Sequence, residues 1–197
     1  MGPRTDRPMI TEAAAGAGMD MRRLSLRYLV IAATLPLILL ALFGIVLLVR
    51  APASSPATQG SMAPDFALAD LDGNPIRLSE LRGRPVVLNF WASYCTFCDE
   101  EFALLRDAVE RHAADRLVVI GVVFQDRSSA ARNFMARNGG TWQAAMDPGE
   151  HVANAYGILG PPETFFIGRD GIIEARQIGQ FSAGSLESKL AGIIDEE

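Results

Sequence analysis

Apolar and polar positions divide the chain into two unequal parts with different periods. Residues 29–49 carry no charged side chain over 21 positions. A helix of that length reaches about 31 Å at about 1.5 Å per residue, enough to cross the hydrocarbon core of a bilayer. Pro36 falls near its start, where a spanning helix tolerates it. From residue 61 onward the pattern changes. Short apolar runs of strand length alternate with longer stretches of helical spacing.

Residues 63–68 and 75–78 alternate apolar and polar around Asp70-Leu71-Asp72-Gly73, which predicts an N-terminal β-hairpin. Residues 79–83 read as one helical turn closed by Gly83. Residues 86–91 and 117–124 are apolar on both faces, the mark of central strands. Helical spacing runs from Thr96 to about His112 through Phe102, Leu105 and Val109. A second helix, capped by Ser128 or Ser129, ends at Asn138-Gly139-Gly140, and a third opens at Asp147 or Pro148 and carries Val152, Ala155 and Tyr156. Residues 141–146, 163–167 and 172–178 read as strands, the last two joined by the turn 168–171. Ser182 caps a final helix with Leu186, Leu190 and Ile194 on one face. This order predicts an α/β domain with a mixed central sheet covered by helices on both faces.

Charge orients the first part. Arg4, Arg7, Arg22, Arg23 and Arg27 precede the apolar stretch, and only Arg50 follows it before Arg77. That asymmetry predicts a single-pass protein of the cell membrane with its N-terminus in the cytoplasm and the later domain on the outer, periplasmic or extracellular, face. A cleaved signal peptide is the competing reading, but its apolar region normally runs about 7–15 residues. The expected organisation is a disordered cytoplasmic segment 1–27, an anchor 28–50, a flexible tether 51–60 and a folded domain 61–197. Met19 or Met21 is an alternative start. After residue 50 there are 12 Lys and Arg against 20 Asp and Glu, a balance of −8 with no basic stripe. Nucleic acid is therefore not an expected partner.

Both cysteines of the chain, Cys95 and Cys98, fall where an apolar strand gives way to a helix. Two intervening residues at such a junction suit thiol-disulfide redox chemistry, because the helix start favours a thiolate on the leading cysteine. A structural disulfide across so short a loop would restrain little chain. A zinc site needs about four ligands, which this pair with the scattered His112 and His151 does not supply at finger spacing.

The segment Trp91-Ala-Ser-Tyr-Cys95-Thr-Phe-Cys98-Asp-Glu-Glu101 resembles the active-site segment of thioredoxin-like proteins. It is most similar to the membrane-anchored group represented by ResA, TlpA and CcmG (also called DsbE). Residues 63–68 with 70–73 and 78–83, then 121–126, then Tyr156-Gly-Ile-Leu-Gly-Pro-Pro-Glu-Thr-Phe166 agree with that group in order and spacing. The resemblance covers residues 62 to about 194 and implies a thioredoxin-like fold. It implies that Cys95 attacks, that Cys98 is the buried resolving thiol, and that Pro162 follows a cis bond in a loop lying against the cysteines. It places Glu101 near the resolving thiol and makes Glu163 a second acid; Thr164 belongs to the same proline segment. Independently, Glu101 follows Cys98 by three residues on one helical face, so its carboxylate can raise the thiol's pKa or take its proton. Asp99 and Glu100 are expected only to complement the helix N-terminus. Trp91 is open between a shield for the sulfurs and plain core.

Two departures stand out. Tyr94 replaces a frequent Trp, and Thr96-Phe97 lacks the proline common before the second cysteine, in a pair that helps set the redox potential. The resemblance implies a reductase without cofactor or metal. Its substrate is the disulfide of a partner protein such as an apocytochrome c, and a membrane donor of the DsbD or CcdA type re-reduces it. The rivals are a disulfide oxidase or isomerase, a thiol peroxidase and a copper-delivery protein. A peroxidase would want Pro-x-x-x-Thr-x-x-Cys around Cys95, and copper delivery would want three residues between the cysteines.

Overall fold

The computed structural model describes residues 20–49 and 57–195, with side chains in the first stretch described for 28–44 only. It divides into two units, residues 1–53 and 54–197. In the first, α1 (Asp20–Val49) is a single helix of 30 residues with Pro36 inside it. The helix takes in residues 20–27, which were expected to be disordered; backbone hydrogen bonding continues through the charged turn ahead of the apolar stretch. Residues 1–19 lie outside the described residues. Among the described residues no helix is long and apolar enough to cross a membrane.

In the second unit β1 (Ala67–Ala69) and β2 (Pro75–Arg77) form the expected N-terminal hairpin, antiparallel and two-stranded. Asp70 makes its turn by accepting from the Asp72 and Asn74 backbone N–H groups, at 2.8 Å each. A 3-10 turn, Leu78–Leu81, leads into β3 (Val86–Trp91). Then follow α2 (Cys98–Arg111), β4 (Val118–Val123), α3 (Ser128–Asn138), β5 (Gln143–Met146), α4 (His151–Tyr156), β6 (Glu163–Ile167), β7 (Ile173–Ile178) and α5 (Ala183–Ile194). Gly139 takes the left-handed conformation at the end of α3, and the Ser182 hydroxyl caps α5 by accepting from the Ser185 N–H at 3.3 Å. Ser128 does not cap α3; it lies inside the helix, whose cap position is Arg127. The Asp147 carboxylate, in contrast, accepts from the Val152 and Ala153 N–H groups at the start of α4.

The main sheet has the order β5-β4-β3-β6-β7. β3 is parallel to β4 and antiparallel to β6, so the sheet is mixed. Every residue of β3 is buried, as its two-faced apolar pattern requires. On one face Val86, Leu88 and Phe90 pack with Val152, Ala153 and Tyr156 of α4 and with Phe66 and Ile76 of the hairpin region. On the other, Val87 meets Leu105 of α2 and Leu186, Leu190 and Ile193 of α5, while Trp91 meets Phe102 of α2 and Phe134 of α3. The tether proves shorter than expected. Residues 51–56 are not described, but Ala57 is buried in the core and its N–H donates to the Ala155 carbonyl. Gly60 donates in turn to Ile173, so the packed domain begins no later than residue 57.

Candidate active site

β3 ends at Trp91, and the turn that follows carries the cysteines to the end of the sheet where β6 begins and β7 finishes. Cys95 and Cys98 are joined as a disulfide with Cα atoms 5.5 Å apart. The helix starts two residues later than the spacing predicts, at Cys98 rather than at Thr96. Cys98 is the first residue of α2, whereas Cys95 sits in the preceding turn, donating to Ala92 and accepting from the Cys98 N–H. The two sulfurs are unequal. Cys95 keeps 8% of its surface and Cys98 none, which leaves the leading cysteine as the one an incoming group can reach. Thr96 is exposed beside them, as are Phe97 at 56% and Tyr94 at 57%.

Trp91 is fully buried in the cluster that holds both cysteines, with its ring 5.0 Å from Phe102 and 4.9 Å from Phe134. It is core, in the same buried cluster as the cysteines. Its indole passes over Gly121 of β4, where an added Cβ would stand 2.5 Å from Nε1. Only glycine leaves room there. The turn is fastened from the side by Asp126, whose carboxylate accepts from the Ser93 and Arg127 N–H groups at 2.7 Å each and is held below the ordinary range by these bonds against its partial burial. Tyr94 donates its hydroxyl to the Phe124 carbonyl at 3.3 Å.

One turn after Cys98, Glu101 is completely buried. Its carboxylate accepts from the Phe181 N–H at 3.2 Å and from the Asn89 side chain at 3.4 Å, and no cation pairs with it among the described residues. Burial pushes its pKa up to about 7, and the two hydrogen bonds oppose that rise. Asn89 also donates to the Thr164 hydroxyl at 2.9 Å, across the β3–β6 pairing that sets the two residues opposite each other. A buried polar row thus runs from Thr164 through Asn89 to Glu101.

The Pro161–Pro162 bond is cis, as the resemblance implies for Pro162, and Pro162 is buried at the start of β6. Glu163 follows it but does not join Glu101. Strand alternation turns it to the opposite face of the sheet, level with Phe90, where it forms an ion pair with Arg176 of β7. Burial raises its pKa, and Arg176 works against the rise. The structure therefore gathers Cys95, Cys98, Trp91, Glu101 and Thr164 on one side, leaves Tyr94, Thr96 and Phe97 at the surface, and sets Glu163 apart. Asn89, Asp126 and Arg176 were missed as site residues. Asn89 had a signal, being the one polar side chain in the apolar run 86–91. His112, remote from the cysteines in sequence, bridges Asp115 and Glu187.

Comparison with known proteins agrees with this geometry. A model of the AhpC/TSA family matches residues 59–176. The thiol-disulfide oxidoreductase ResA of Bacillus thuringiensis is 30% identical over 134 residues, which span 68% of this chain and 78% of that protein. ResA of Geobacillus thermodenitrificans is 31% identical over 134 residues, with 68% and 77% covered. Among solved structures, one described as the thiol:disulfide interchange protein DsbE of Chlorobium tepidum superposes with a TM-score of 0.65 at 31% identity, covering 70% of this chain and 99% of that one. A secreted Mycobacterium tuberculosis disulfide oxidoreductase homologous to E. coli DsbE gives a TM-score of 0.59 at 22% identity, covering 64% and 94%, a likeness of fold.

Proposed function

We propose that this chain, which belongs to the AhpC/TSA family and is a thioredoxin-like thiol-disulfide oxidoreductase of the ResA and DsbE group, acts as a membrane-tethered reductase of partner disulfides. The observation that carries the reading is the contrast between Cys95, which keeps an exposed edge, and Cys98, buried one turn ahead of the buried Glu101. In the reduced protein the Cys95 thiolate attacks one sulfur of the partner's disulfide. A mixed disulfide forms, and the partner's other sulfur leaves as a thiolate and takes a proton. Cys98 then gives its proton to Glu101 and attacks Cys95. The Cys95–Cys98 disulfide forms as the bond from Cys95 to the partner breaks. The released partner sulfur leaves as a thiolate and takes a proton, and the partner departs as a dithiol carrying two electrons. Glu101, with its carboxyl pushed up to about 7, is matched to accept and return that proton near neutral pH.

The exposed side chains of Tyr94, Phe97, Leu159 and Ile178 surround this end of the sheet with apolar surface that suits a polypeptide partner. The substrate proposed from the family resemblance is the disulfide of an apocytochrome c haem-binding motif, with a membrane donor of the DsbD or CcdA type restoring the dithiol. Residues 29–49 are proposed to enter the lipid bilayer, with the N-terminus cytoplasmic and the domain on the outer face. Their uncharged sequence and the exposed Leu29, Ile31, Leu37, Leu40 and Phe43 support this. Resistance of the native protein to carbonate extraction, with protease attack on the domain from the outer side only, is the expected outcome.

Trapping tests the chemistry. Cys98→Ser should accumulate a mixed disulfide between Cys95 and its partner, and Cys95→Ser should not. A redox potential near about −120 mV, the strongly oxidising end of the range, would overturn the reductase assignment in favour of an oxidase.

A further inference from the structure

The Asn89 side chain is completely buried, yet its Oδ1 has no hydrogen-bond partner among the described residues. An unpaired buried acceptor is destabilising, so its presence in the middle of the sheet calls for a physical reason. The amide's other end is fully used. Nδ2 donates to the Thr164 hydroxyl at 2.9 Å and to the Glu101 carboxylate at 3.4 Å. This arrangement suits an ionised Glu101, which only accepts. A protonated Glu101 needs an acceptor for its own O–H, and Nδ2 cannot serve.

Rotation of the amide about its Cβ–Cγ bond exchanges the two ends. Oδ1 then accepts from the Glu101 carboxyl and from the Thr164 hydroxyl, using both of its lone pairs. Each setting leaves one end of the amide unpaired, so the amide has little preference of its own and the proton on Glu101 decides. Resting on the redox reading of this site, we propose that Asn89 is a positioning residue whose side-chain amide turns with the protonation of Glu101 and reverses the direction of its hydrogen bond to Thr164. The proton state beneath Cys98 is thereby passed to the strand that starts at the cis-proline. Pro162 precedes Thr164 by two residues, and its carbonyl accepts from the Gly179 N–H at 3.0 Å, so this strand start is tied to the loop ahead of α5.

The surroundings leave few competitors. Glu101 is met by Asn89 from β3, with Thr164 of β6 behind it, by the Phe181 N–H from the loop before α5, and by Cys98 on its own helix. The other acids at this end turn elsewhere: Glu100 to Gln180, Asp99 to Asn138, Asp126 to backbone N–H groups and Glu163 to Arg176.

The test is nuclear magnetic resonance of the full chain in detergent micelles, in its oxidised form, titrated across roughly two pH units either side of neutrality. Three signals are followed: the Asn89 side-chain amide pair, the Glu101 carboxyl carbon and the Thr164 backbone amide. All three should move with one midpoint, and Glu101→Gln should remove that titration from the other two. Asn89→Leu should shift the Glu101 midpoint upward, because a donor to the carboxylate is lost, and should uncouple Thr164 from it. An Asn89 amide that stays still while Glu101 titrates overturns the proposal. So does a Thr164 signal that still follows Glu101 in Asn89→Leu. Neither substrate nor electron donor enters the measurement, so failure of the reductase reading would show in trapping and potential while leaving this result intact.

Discussion

Glu101 and Glu163 lie at the same end of one sheet, both buried, and differ in what meets their charge. Glu101 has two neutral donors, the Phe181 N–H and the Asn89 amide. Glu163 has a guanidinium, Arg176, which also donates to the Gly157 carbonyl at 3.0 Å. Desolvation of a carboxylate costs several kcal/mol, and hydrogen bonds to a charged group return about 1.5–3 kcal/mol each. Two such bonds, one of them long, leave Glu101 close to balance, so its proton is available near neutrality. A half-buried cation changes the outcome. Arg176 fixes Glu163 as half of an ion pair that fastens β6 to β7. One acid is held for chemistry and the other for architecture, on opposite faces of the sheet.

The largest test of this contrast is Arg176→Met, which strands the Glu163 carboxyl without its cation. A loss of about 3–5 kcal/mol in denaturant unfolding is expected, smaller in acid where Glu163 can protonate. A loss below about 1 kcal/mol would mean that Glu163 is already neutral and that the two acids are alike.

Next comes the pH dependence of stability. The Glu101 carboxyl rises from 4.5 to about 7 on folding, so between those values the folded state holds more protons than the unfolded one. The associated stability is fully present below the unfolded value and is lost as pH rises through about 7. Unfolding free energies of the oxidised protein should fall by up to about 3 kcal/mol across that window. Glu101→Gln should flatten the slope and Glu163→Gln should keep it.

The same pair separates the kinetics. Glu101→Gln should slow resolution of a preformed mixed disulfide by about 100-fold at neutral pH and erase the pH profile of that step. Glu163→Gln should leave that profile in place; erasing it would end the division of roles. The smallest effect is that of Thr164→Val, which removes the hydroxyl partner of Asn89. It should cost about 1 kcal/mol in stability while Glu101 continues to titrate, measured by carboxyl carbon shifts.

Much of this was legible along the chain. The residue limits expected for β3 and β6 match those observed, because a run apolar on both faces, bounded by turn residues, has few other places to go. The Ser182 cap and the Gly139 terminus follow from local hydrogen bonding and backbone freedom in the same way. The helix start at Cys98 was less legible. Cys95 belongs to a turn held by Ala92, and helical spacing cannot tell such a turn from the helix it leads into. Ala57 looked like tether because small residues carry no periodic signal, and only the Ala155 carbonyl and the core around it show that the residue is packed.

The sequence by itself determined the chemistry available: two cysteines at a strand-to-helix junction, an acid one helical turn on, and a Pro-Pro-Glu-Thr segment further along the chain. These depend on spacing within one element or on a short motif. Tertiary structure alone decided which groups act together. Asn89 meets Thr164 across 75 residues through sheet register, Glu101 meets the Phe181 N–H across 80, and Glu163 meets Arg176 because β7 pairs beside β6. Register and the face that each helix covers are set by packing of the whole core. Local periodicity therefore names the acids without saying which of them will be left with a movable proton.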